Sequence, residues 1–140
     1  MRRSSTVCSL YGVLAGLLWL SGLGSRPPPL SAKEEQPNEA CGLVVLRDGV
    51  AERYERGRNA AASPYRFELD VDPELWFLED DGYELAVFHS HPETEPRPSR
   101  TDRERSGLWA GRPFVIYGLK HDELRAWLVA RESFEEITLT

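Results

Sequence analysis

Cysteine is scarce in this chain of 140 residues, and the way it is placed excludes several kinds of chemistry. Only Cys8 and Cys41 are present, far apart and in no C-x-x-C pair. A disulfide framework, a thiolate zinc finger and thioredoxin-like redox chemistry therefore have no support. Cys41, beside Gly42, fits a small buried apolar residue better than a nucleophile. A basic face is missing too. From residue 31 onward, 14 basic residues stand against 23 acidic ones, a balance of −9. Nucleic-acid backbone calls for the opposite sign, so no nucleic-acid partner is expected. Repeats and heptads are absent, and 41% apolar with 29% charged residues describes a globular chain able to bury one core.

Long hydrophobic runs are lacking as well. The longest, Leu10 to Leu23, falls short of the roughly 20 apolar residues that a membrane-spanning helix needs. Arg2 and Arg3 precede it, and Gly24, Ser25, Arg26 and Pro27 to Pro29 follow, a series expected to break any helix. Residues 1–29 fit a signal or anchor, an N-terminal helix of the domain, or an extension from a misplaced start. The domain itself is expected over residues 30–140. A cytoplasmic location is expected unless residues 1–25 export or anchor the chain.

The domain alternates strand-like and helix-like segments. Gly42 to Leu46 and Val50 to Tyr54 form a hairpin pattern around the turn Arg47-Asp48-Gly49. Tyr65 to Leu69 alternates and is expected to be a strand. Asp72 and Pro73 open a short helix to about Leu78, closed by Asp80-Asp81-Gly82. Glu84 to His89 is the clearest strand. Pro92 to Pro98 is a polar, proline-rich loop, and Ser99 opens a helix to about Trp109. Phe114 to Leu119, Leu124 to Ala130 and Phe134 to Leu139 complete the strands. The expected fold class is α/β: a single domain, with a mixed, largely antiparallel sheet flanked by two or three helices.

Strand alternation places Leu85, Val87, His89 and His91 on one face, so both imidazoles of an H-x-H pair can aim at one ion. Asp102, three residues beyond Ser99 in the first helical turn, is the best-placed third ligand. Two histidines and one carboxylate leave a fourth position open, as a catalytic zinc site requires. Each piece has a plainer explanation: Ser99 and Asp102 alone make a capping box, and the histidines and Glu39 alone are ordinary polar residues.

His89-Ser-His91, then seven residues, then Ser99-x-x-Asp102, with the upstream Glu39-Ala-Cys-Gly42, resembles the JAMM (MPN+) zinc metallopeptidase family. The resemblance implies a JAMM/MPN-like, cytidine-deaminase-like fold and one Zn2+ held by His89, His91 and Asp102. It implies that Glu39 works on the metal-bound water and passes its proton to the leaving amine, while Ser99 stabilises the oxyanion. Asn59, Tyr65 to Asp70, Pro98 to Asp102 and His121 to Arg125 are similar to small prokaryotic members. Those release cysteine from the C-terminal glycine of a ubiquitin-like sulfur-carrier protein, which is the partner expected here. Two alternatives stay open: a cell-envelope or phage-tail-type peptidase, and a non-catalytic interaction module. A homodimer also stays open, and the loop from Glu93 to Arg97 is a candidate substrate contact.

Overall fold

The computed structural model describes residues 28–138. Residues 1–27 and the last two, including Leu139 of the expected final strand, lie outside the described residues. Helix α1 spans Pro28–Glu35. Pro28 and Pro29 open it, and whether the series from Gly24 to Pro29 breaks a helix running in from the leader lies outside the described residues. The first helical turn has no use for the amide hydrogens that proline lacks.

The sheet has six strands: β1 (Cys41–Arg47), β2 (Val50–Arg56), β5 (Glu84–His91), β6 (Phe114–Gly118), β7 (Glu123–Val129) and β8 (Phe134–Ile137). They run in the order β2-β1-β5-β6-β7-β8. Only the β5–β6 pair is parallel, and the rest are antiparallel. The β1–β2 hairpin turns at Asp48 and Gly49, both with positive φ (54° and 79°), the backbone that a two-residue hairpin favours. Val45, Leu85, Val87 and Ile116 face a layer built from Phe67 and a 3-10 helix, Pro73–Asp81. Val44, Tyr54, Phe88 and Tyr117 face α1 and Ala32. Both faces of the sheet are therefore covered, and alternation along β5 decides which residues go where.

Three expectations need correction. Tyr65 to Glu68 is irregular; only β4 (Leu69–Asp70) pairs, with β3 (Arg58–Asn59). The cause is Asn59, whose side chain accepts from Glu68 N and donates to Arg66 O, occupying groups that a strand ladder would use. The segment after Asp72 is a 3-10 helix running past Leu78 to Asp81, capped by Gly82 at φ 91°. The helix after Ser99, α2, covers only Arg100–Glu104, and a separate 3-10 turn follows at Ser106–Trp109. Ser106 Oγ donates to Arg103 O at 2.8 Å and Gly107 comes next, so a continuous helix loses a carbonyl partner and gains a poor helix former. Among the described residues no helix is long and apolar enough to cross a membrane.

Candidate metal centre and its cleft

β5 delivers His89 and His91 to its C-terminal end, both buried. α2 delivers Asp102, also buried. The three meet as a nearly equilateral triangle. His89 Nε2 lies 3.2 Å from His91 Nε2, and each lies 3.1 Å from Asp102 Oδ2. These donor atoms are arranged to hold a metal ion.

The protonation pattern suits that role. His91 Nδ1 lies 2.7 Å from the Glu95 carbonyl, which can only accept, so Nδ1 carries a proton and Nε2 is the nitrogen whose lone pair the neutral ring would turn into the triangle. Burial lowers the pKa of His89, against the opposing pull of Asp102, and so favours its neutral form. Burial alone would raise Asp102, yet the charges and hydrogen bonds that His89 and His91 supply when protonated outweigh it and hold its carboxyl well below the usual range. A carboxylate and a bare imidazole nitrogen converging within 3.1 Å is a repulsive arrangement unless a cation or proton lies between them. The donor set therefore fits a cation.

The capping box is present, and it leaves Asp102 free to face the histidines as a metal ligand would. Asp102 N bonds Ser99 Oγ at 3.0 Å, while Asp102 Oδ2 accepts from Ser99 N at 2.9 Å. The same Oδ2 faces both histidines, so the cap aims the ligand.

Glu39 sits just before β1, buried, and lines a cleft of about 290 Å³ together with Tyr65, His91, Glu93, Thr94 and Ser99. Burial, helped by the charge of Asp102, pushes its carboxyl up to about 9. Its backbone is fixed from three directions. Glu39 N donates to Ser63 O at 2.9 Å, Glu39 O accepts from Asn59 Nδ2 at 3.0 Å, and the next amide, Ala40 N, donates to Ser90 Oγ at 2.8 Å. All five residues expected at the site are thus gathered at one end of the sheet.

Four supporting residues escaped the sequence reading. Ser90, between the two histidines, ties the Glu39 segment to β5; its placement on the opposite face was legible from alternation alone. Phe67 stacks on His89 with ring centroids 4.5 Å apart, and Trp109 stacks behind Phe67 at 5.8 Å. Trp127 Nε1 donates to Pro96 O at 2.9 Å and pins the loop that gives His91 its carbonyl partner. No short-range signal could have revealed the last three. Cys41, by contrast, is a buried member of the core, with burial and the nearby Glu39 pushing its thiol up to about 12, far from a reactive thiolate.

Comparison with known proteins agrees with this geometry. The chain is similar to the CysO-cysteine peptidase of Mycobacterium tuberculosis, 39% identical over 77 residues that cover 51% of this chain and 53% of that protein. It is similar to the desampylase of Haloferax volcanii, 37% identical over 95 residues that cover 61% of this chain and 66% of that one. The match to the peptidase spans about half the length of that relative. A solution structure of a protein from Desulfitobacterium hafniense shares the fold, with a TM-score of 0.66 and 29% identity, covering 80% of this chain and 84% of that one. The model of the family described as prokaryotic homologs of the JAB domain matches residues 30–130, and the chain belongs to that family.

Proposed function

We propose that this chain is a JAMM-type zinc peptidase. Its reaction is hydrolysis of an amide or isopeptide bond at the C-terminal glycine of a ubiquitin-like sulfur-carrier protein, releasing cysteine or another amine. One observation carries the proposal: His91, one corner of the His89, His91 and Asp102 triangle, lines the same cleft as Glu39 and Ser99. Two imidazole nitrogens and a carboxylate oxygen suit zinc. Tetrahedral bonds of about 2.0–2.1 Å separate donors by about 3.3 Å, close to the 3.1–3.2 Å found here. When bound, zinc supplies a Lewis acid for the scissile carbonyl and lowers the pKa of a water ligand to about 7.

The protein's own groups do the rest. Glu39 takes a proton from the attacking water and passes it to the departing amine nitrogen. Without a metal its raised pKa keeps it protonated, and a neighbouring cation would pull it back toward the range where it is ionised and can accept a proton. Ser99 Oγ accepts from Asp102 N, which leaves its own hydrogen free to donate to the oxyanion. The names of the mycobacterial and haloarchaeal relatives support a carrier-protein substrate.

The test uses Glu39→Gln and the cysteine adduct of a sulfur-carrier protein, with released cysteine measured by mass spectrometry. The variant should hold zinc as the parent does and lose at least about 100-fold in turnover, because it removes a base and no ligand. Full turnover in Glu39→Gln would refute its role. Wild-type protein that ignores the adduct but cuts peptidoglycan peptides would favour an envelope peptidase. Metal-free, EDTA-insensitive protein would favour an interaction module.

A further inference from the structure

Asn59 is buried, yet its side chain meets five backbone groups. Nδ2 donates to Glu39 O at 3.0 Å and Arg66 O at 3.1 Å, with a longer third contact to Ser63 O at 3.5 Å. Oδ1 accepts from Ala61 N and Glu68 N, both at 3.0 Å. An amide offers two donors and two acceptor lone pairs, so its capacity is fully used. These contacts join the glutamate segment, the cleft wall at Pro64 and Tyr65, and the lead into Phe67, the ring stacked on His89.

The Glu39 carboxyl has no comparable tether, since its buried Oε1 has no hydrogen-bond partner. Where that carboxyl points is therefore set through its backbone. Two of the three bonds fixing that backbone run to Asn59 or to Ser63, which belongs to the loop that Asn59 organises. We infer that Asn59 is a positioning residue that fixes Glu39 and the Tyr65 wall of the cleft relative to His89, His91 and Asp102. It acts through Glu39 and does not touch substrate. This rests on the reading of Glu39 as the base. A displacement of about 1 Å at such a group costs on the order of 100-fold in rate.

The experiment compares Asn59→Asp, which keeps the size and removes both donors, with the milder Asn59→Ser, each alone and combined with Glu39→Gln. Zinc content, kcat on the carrier–cysteine adduct, and amide hydrogen exchange are read in the full chain. Zinc per chain should match wild type while kcat falls about 10- to 100-fold. In the Glu39→Gln background the further loss should be less than about twofold, because the positioned group is already gone. Exchange at the Glu39 amide should rise at least about tenfold in both variants, and at the Glu68 amide in Asn59→Ser, with the β1 and β5 amides unchanged. Losses that multiply in the double variants would overturn the assignment, as would unchanged exchange at Glu39. Loss of zinc together with activity in both variants would also overturn it, by making Asn59 a structural residue. If wild type cleaves nothing, the proposed reaction fails, and the exchange data still decide whether Asn59 holds Glu39.

Discussion

Strand β5 presents two different surfaces from alternating residues. Ala86 and Phe88 pack against Val44, Tyr54, Val115 and Tyr117 under helix α1, and Ser90 on that side bonds Ala40 through both its hydroxyl and its backbone N. Leu85 and Val87 pack the other way, and that face continues into His89 and His91. The covers differ in kind. One face lies under a regular helix, whose Ser31 bonds the Tyr54 hydroxyl. The other lies under an irregular layer of Phe67, Trp76 and Trp109, stacked ring on ring out from His89. A regular helix fills its face evenly, whereas the irregular layer stops short and leaves the strand end open as a cleft. Packing and chemistry are thus divided between the faces, and each can be perturbed alone.

The largest stability effect should come from the helix-covered face. Phe88→Ala removes a fully buried ring in edge contact with Tyr54 and should cost about 3–5 kcal/mol in urea denaturation. Below its unfolding transition the variant should still bind zinc as wild type does. Weakened zinc binding in the folded variant would show that the faces are not independent.

A perturbation on the cleft side should have the opposite sign. Glu39 keeps its proton in the folded, metal-free protein up to about 9, whereas an unfolded carboxyl ionises near 4.5. As pH rises through that window the unfolded state gives up its proton first, so metal-free stability falls. Glu39→Gln removes this penalty. At pH 7 the metal-free variant should be more stable than wild type by roughly 3 kcal/mol, with no advantage below the unfolded pKa. Thermal melts across pH in the presence of a chelator read this directly, and a gain independent of pH would point to packing instead.

The smallest effect concerns how α1 is held on its face. Arg56 bridges Glu34 and Glu35, both at 2.6 Å, with all three side chains about a third exposed. Water screens such pairs, so Arg56→Ala should cost about 1 kcal/mol or less, shrinking further at high salt. A larger loss would mean that α1 depends on this tie more than on Ala32 and Ser31 beneath it.

Legibility from sequence followed the range of the interactions. β1, β5, β6 and β7 were readable because apolar runs and alternation are local signals, and β5 merely extends two residues beyond the expected His89. The site was readable because H-x-H on a strand and S-x-x-D at a helix start are local as well. Tyr65 to Glu68 was misread because alternation favoured a strand, while Asn59, up to nine residues away, claimed its backbone groups. The helix after Ser99 was drawn too long because the Ser106 hydroxyl competes for a carbonyl. The contacts of Phe67 with His89 and of Trp127 with Pro96 join distant segments, and no window of sequence contains both partners.

Zinc content tests the central claim most directly, measured by elemental mass spectrometry on wild type and His91→Ala after both are supplied with zinc and dialysed. The site as built predicts about one zinc per folded wild-type chain and essentially none in His91→Ala, whose loss leaves only two of three protein ligands. Equal zinc in the two proteins, or none in folded wild type, would contradict it.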